Sequence, residues 1–263
     1  MTYADDTAVV SRCPVAAQGY LHCLIKTAAC FGLQPHWGKT VHLRVGHCRD
    51  IAATDDTIIK VAESSIYLGS HLHSQGDHQH AISRRIGEAA ATLNKLDEVW
   101  RRGGITTQRK VDIFEACVLT KLLFGLETLP LSVGSARRLD AFQSRCLRKV
   151  LKIAPSFYSR VANEQVMRQA GCRALSAQLR QRQLLLFGLV AGKPDSDPLR
   201  AAIFVSGAAL PKATAQKRKV GRPRLAWSTQ VHRFAVDLAG SQAALEKAVA
   251  DPDRWLLLVL NRQ

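Results

Sequence analysis

Residues 82–100 read ISRRIGEAAATLNKLDEVW, and within them Ile82, Ile86, Ala89, Leu93, Leu96 and Trp100 recur at steps of three or four. That spacing gathers the apolar side chains on one face of a 3.6-residue helix and leaves the polar residues to the other. The same period carries on downstream. A second helix covers about Thr107 to Phe124. A third is marked by an apolar stripe of Leu139, Phe142, Cys146, Val150 and Ile153, surrounded by Arg137, Arg138, Arg145, Arg148, Lys149 and Lys152. Further helical segments are predicted near Asn163 to Gln169, Ala174 to Val190 and Ala226 to Leu238. Two breaker-rich linkers interrupt them, one from Gly192 to Pro198 and one over 211–224, which holds Lys217, Arg218, Lys219, Arg222 and Arg224 and reads as an exposed, mobile loop.

Upstream of Asp77 the pattern differs. Asp5 and Asp6 precede the β-prone run Thr7 to Val10, a turn entering a strand, and the breaker-poor stretch from Val15 predicts a helix closed by Gly32. Val41 to Val45, Ile58 to Val61 and Ser65 to Gly69 are short strand candidates, the last running into a Gly-containing turn. The fold class expected is therefore α+β: a small segment of short strands and one helix, followed by a mainly α-helical remainder.

A chain of 263 residues with 47% hydrophobic composition is long enough for one large domain or two modest ones. Its 37 Lys and Arg against 21 Asp and Glu give a formal charge of +16, which points to a polyanionic partner. No stretch reaches the roughly 20 apolar residues of a bilayer span, and the start is not built like a signal peptide. The expectation is an intracellular protein, nuclear or cytoplasmic, with no membrane partner. Seven cysteines without a C-x-x-C pair argue against a disulfide framework or zinc ribbon and read as reduced, mostly buried thiols.

Chemistry enters with the two adjacent aspartates. Nucleotide polymerisation uses two divalent cations to activate the primer hydroxyl and neutralise the leaving pyrophosphate, and paired carboxylates on a tight turn suit hard, octahedral Mg²⁺. The order of several short elements then matches a known family. Tyr3-Ala4-Asp5-Asp6-Thr7, Gly32-Leu33 with Lys39-Thr40, and Tyr67-Leu68-Gly69-Ser70 follow one another; Leu123 to Thr128, Phe142-x-x-x-Cys146-Leu147-Arg148, Arg182 to Val190, and Gly221-Arg222-Pro223-Arg224-x-x-Trp227 come after. This series resembles the carboxyl-terminal part of non-LTR (LINE-type) retrotransposon reverse transcriptases.

The resemblance implies a truncated palm over 1–75, a helical thumb over 76–155 and a helical carboxyl-terminal region over 156–263. It implies that Asp5 and Asp6 are metal ligands, that Lys39 assists pyrophosphate departure, and that Tyr67, Leu68 and Gly69 form a primer grip. Arg137, Arg138, Arg145, Arg148, Lys149 and Lys152 would hold the template–primer backbone. The expected partners are an RNA template and a DNA primer or duplex, with no small-molecule substrate for the isolated chain. In the family, a further palm aspartate, the fingers and the nucleotide pocket precede the Asp-Asp turn, whereas here only Met1 and Thr2 do. The turn is expected to lack its partner strand and the Mg²⁺ site to be incomplete, with no polymerase activity and no cofactor for this chain alone. The alternative is a non-enzymatic basic nucleic-acid-binding helical protein, or a decayed element without function.

Other readings of single motifs are weaker. Gly38-Lys39-Thr40 is not a phosphate-binding loop, because that loop needs glycine where Leu33 stands. His71, His73, His78 and His80 flank a turn without a nearby cysteine, so a structural zinc is not expected. The run from Lys217 to Arg224 reads as a nuclear-localisation patch, a minor-groove arm or a solvated loop. Trp100, Trp227 and Trp255 read as core anchors.

Overall fold

A computed structural model of the chain describes residues 2–3, 6–45, 49–53, 57–76, 78–213 and 225–261, residues 2 and 3 by their backbone only. Asp5, Asp77 and the cations Lys217, Arg218, Lys219, Arg222 and Arg224 lie outside the described residues. The chain divides into two compact units, 1–81 and 82–263.

In the first unit, β1 (Thr2–Tyr3) and β2 (Asp6–Thr7) pair antiparallel in the register Thr2↔Thr7 and Tyr3↔Asp6. The Asp-Asp turn was expected to lack a first strand. Thr2 and Tyr3 supply one, only two residues long. α1 (Pro14–Cys30) follows and ends where Gly32 suggested: Gly32 takes φ +71, its N–H donates to Ala29 O and the Leu33 N–H to Ala28 O, which satisfies the last carbonyls. The Gln18 side-chain amide of α1 exchanges two hydrogen bonds with the Ala52 backbone, at 2.6 and 2.8 Å. β3 (His42–Leu43) and β4 (Val61–Ala62) pair parallel, and β5 (Ser64–Tyr67) and β6 (Ser70–His73) form an antiparallel hairpin. The strand candidates 41–45, 58–61 and 65–69 overlap β3, β4 and β5, the second at Val61 alone; β6 was not expected, and all the strands are short. Among the described residues of this unit only Ala53, Ile59 and Ala81 are buried apolar side chains, and α1 buries none.

The second unit is helical. α2 (His78–Lys95), whose first turn contains the division between units, leads to α3 (Asp97–Arg101). The helix expected from Thr107 to Phe124 runs as α4 (Thr107–Phe114), a π-helical turn (Glu115–Leu119) and α5 (Thr120–Leu123). After Gly125 (φ +74) and a 3₁₀ turn at Leu126–Thr128 come α6 (Val133–Leu151), α7 (Ser156–Ser159), α8 (Asn163–Ala170) and α9 (Leu175–Ala191). α10 (Pro198–Ile203), α11 (Trp227–Ala239), α12 (Gln242–Val249) and α13 (Pro252–Asn261) complete it. No helix among the described residues is long and apolar enough to cross a membrane.

Two apolar clusters fill this unit. The first joins Ile82, Ala89, Leu93 and Trp100 to Phe114, Leu122, Leu139, Phe142 and Cys146, and continues through Val166 and Ala170 to Leu175 and Leu179. The second joins Leu184, Phe187 and Val190 to Phe204, Val231, Leu245, Trp255 and Val259. α9 contributes its first half to one cluster and its second half to the other. The expected boundary at residue 155 is therefore no break in packing, since residues on both sides of it share the first cluster. Trp100 and Trp255 are buried as expected, with their indole N–H groups donating to Leu93 O and Leu184 O, both at 2.9 Å.

Gly188 shows how closely the second cluster is packed. A Cβ placed there would lie 2.0 Å from the Trp255 ring, so no other residue fits without displacing α13 from α9. Gly188→Ala should lower the unfolding free energy by about 1–3 kcal/mol or more in urea titration. Gly87, exposed on α2 with open space around its Cα, is the control: Gly87→Ala should raise it by about 0.5–1 kcal/mol.

Candidate nucleic-acid interface

The predicted site residues fall in both units. Within the first, Asp6 is exposed on β2 and Lys39 is exposed in a turn whose Lys39 and Thr40 N–H groups donate to His36 O at 2.9 and 3.1 Å. Tyr67, Leu68 and Gly69 occupy the β5–β6 hairpin turn. Leu68 has φ +47 and Gly69 φ +76, so both central residues are left-handed. Asparagine or glycine is the usual choice at the first of these positions, and an exposed leucine there stores backbone strain. Among the described residues no three His, Cys, Asp or Glu side chains form a metal-holding group. The histidines instead pack on each other, His71 on His80 with ring centroids 5.2 Å apart, while His73 Nδ1 accepts from the Gln75 N–H at 3.1 Å.

Within the second unit the basic residues of α6 separate into distinct environments. Leu139, Phe142, Cys146, Leu147 and Val150 turn into the first cluster. The cations Arg138, Arg145, Lys149 and Lys152, at steps of seven, four and three, line one outer face. Arg138 donates to Ser83 Oγ of α2 at 2.8 Å, and Lys149 is ion-paired with Asp97 at 2.8 Å and bonded to Asn94 Oδ1 at 3.2 Å. Lys152, left-handed at the end of α6, donates to Arg101 O at 3.1 Å. Arg145 and, off this stripe, Arg137 are exposed. The Lys149 ammonium, helped by Arg101, holds the Asp97 carboxyl below its usual range. An open depression of about 460 Å³ is lined by Asp97, Trp100, Arg101, Lys149 and Lys152. Three cations against one carboxylate leave it positive.

Arg148 departs from the expectation. It is 7% exposed, and its guanidinium donates to Ala154 O (3.0 Å), Ser159 Oγ (3.4 Å), Val161 O (2.5 Å) and Asn163 Oδ1 (3.0 Å). Four acceptors from one loop draw it inward, next to the negative end of α6. It is a clamp on residues 154–163, so the expectation that it holds a nucleic-acid backbone fails. Sequence reasoning also missed Lys110, 5% exposed, whose ammonium donates to Trp100 O and Arg102 O at 2.9 and 2.7 Å and so closes the end of α3.

The thiols need a second correction. Among the described residues Cys13, Cys23, Cys30 and Cys117 are exposed and Cys146 is buried, with Cys172 between, while Cys48 lies outside them. The expectation of mostly buried thiols failed because α1, which holds two of them and begins just after a third, has no buried residue. Several elements that carry the family resemblance do meet within the second unit. The Trp227 indole donates to Glu127 O at 2.6 Å, and the Gln230 amide exchanges two bonds with the Leu131 backbone at 2.7 and 2.8 Å.

The two kinds of α6 arginine should separate by measurement. Arg148→Met leaves buried carbonyls without donors and should cost about 2–3 kcal/mol of stability in urea unfolding. Arg145→Met should change stability by less than about 0.5 kcal/mol. Equal stability losses would contradict the division of α6 into an inner clamp and an outer face.

No protein-family model, curated protein or solved structure matches this chain.

Proposed function

We propose that this chain is the nucleic-acid-gripping carboxyl-terminal part of a LINE-type reverse transcriptase, and that alone it holds a template–primer without extending it. The observation that carries the reading is the outer face of α6. Arg138 lies 14 positions before Lys152, the residue that ends α6, a separation of about 21 Å at 1.5 Å per residue, and the inner face of the helix is fixed in the first cluster. Cations at that spacing on a rigid helix neutralise successive phosphates without reading bases. The collinear motifs named above support the choice of family. The first unit supports the inert half of the proposal: among its described residues few apolar side chains are buried, whereas a two-metal site needs every ligand held within fractions of an ångström. The second reading, a non-enzymatic basic nucleic-acid-binding helical protein, shares this surface, whereas a decayed element without function would not need it.

Filter binding of an RNA–DNA duplex across a salt series tests the grip. Arg138→Glu with Arg145→Glu should weaken binding on unrelated sequences alike and flatten the log–log salt slope by about 2. Lys149 is left intact because its reversal would also break the Asp97 pair. An unchanged slope in this variant, with loss on reversing Lys217, Arg218 and Lys219, would move the interface to the basic loop. Primer extension by the parent with Mg²⁺ or Mn²⁺, lost in Asp5→Asn, would overturn the inert half.

A further inference from the structure

The loop held by Arg148 displays two aromatic rings. Phe157 is 82% exposed and Tyr158 76%, and Phe157 is the most exposed large hydrophobic residue among those described. Their centroids lie 5.2 Å apart with ring planes at 82°. Solvent-facing aromatics are costly unless something covers them.

These rings do not hang from a slack segment. Pro155 precedes α7, and its carbonyl accepts from the Tyr158 and Ser159 N–H groups at 2.9 and 3.0 Å. It ends at Arg160, left-handed at φ +57, whose N–H donates to Ser156 O at 3.0 Å. Arg148 ties down the chain on both sides, at Ala154 O before α7 and at Val161 O and Asn163 Oδ1 after it. The pair is thus presented on a pre-ordered base, which lowers the entropy lost when a ligand binds.

Charge identifies the ligand. Lys152, the last cation of the α6 stripe, lies five residues before Phe157, and exposed Arg160 lies two after Tyr158. Exposed rings bracketed by cations suit unpaired nucleobases, which stack on any aromatic face while their phosphates meet the charges. A base-paired strand offers no free face.

Resting on the α6 grip proposed above, we propose that Phe157 and Tyr158 form a stacking platform for unpaired nucleobases of a single strand held by the basic residues beside it. The platform adds a preference for single-stranded nucleic acid that phosphate contacts alone do not give.

Fluorescence anisotropy with a labelled unstructured RNA and, separately, an RNA–DNA duplex tests this. Phe157→Leu with Tyr158→Leu keeps apolar bulk and removes the π faces; both sites are exposed, so the thermal midpoint should hold. Single-strand affinity should fall about tenfold for each ring that carries a base, with duplex affinity and salt slope unchanged. Phe157→Trp with Tyr158→Trp should restore it. Parent binding to both ligands with no single-strand loss in the leucine variant would overturn the platform and leave the α6 grip standing. A parent that binds neither overturns both. Concentration-dependent self-association, or sedimentation with anionic vesicles, that disappears in the leucine variant while RNA binding persists would assign the rings to another copy or to a lipid surface and overturn the platform as well.

Discussion

α9 begins without a cap of its own, and the second unit depends on how that is repaired. Ala174 offers no side-chain acceptor, so the first amides of α9 would be left unpaired inside the protein. α6 supplies what is missing. Gln143, fully buried, accepts from the Leu175 N–H at 2.8 Å and donates to Arg173 O at 3.0 Å, while Asp140 accepts from the Ser176 N–H and hydroxyl at 2.8 and 2.7 Å. A carboxylate at the positive end of α9 is favourable on two counts, as hydrogen-bond acceptor and as countercharge. Because α9 lines both apolar clusters, this crossing sets the position of each, and it fixes which face of α6 is left for solvent.

The excess of positive charge is thus partly internal. Lys110, Arg148 and Arg200 are each at most 7% exposed. Arg200 donates to Asp195 at 2.7 Å and to the Ala191 and Ala208 carbonyls; the Ser206 hydroxyl, then Arg200 and the Gly207 N–H, draw the Asp195 carboxyl down to about 2. All three cations bind carbonyls of irregular segments or helix ends, where backbone acceptors would otherwise go unpaired. A formal charge of +16 therefore overstates what a polyanion meets, and the surface that remains is more sharply placed than composition suggests.

Much of the helical fold was legible, because α2, α6 and α9 carry apolar residues at helical spacing and α1 ends at a glycine. α12 and α13 were missed although their signals are local: Ser241 caps α12 by accepting from the Ala244 N–H at 3.2 Å, and Pro252 opens α13. Strand pairing was not legible. Leu68 is a poor turn residue and hid the β5–β6 hairpin, and the parallel β3–β4 pair joins residues nearly twenty apart. At the candidate interface the sequence located the basic helix correctly but could not sort its cations. Arg148 and Arg145 look alike beside an amphipathic stripe, and only the loop from Ala154 to Asn163 tells them apart.

The thiols carry a practical consequence. In residues 82–263 the cysteines are Cys117, Cys146 and Cys172. Burial pushes the last two to about 12, with Glu115 adding to the effect at Cys172, whereas Cys117 stands exposed in the π-helical turn. Alkylating reagents act on thiolates. Cys117 is thus the exposed sulfur of the helical unit, so once Cys13, Cys23, Cys30 and Cys48 are replaced a fluorophore or spin label attached there reports from the π-helical turn without any added cysteine.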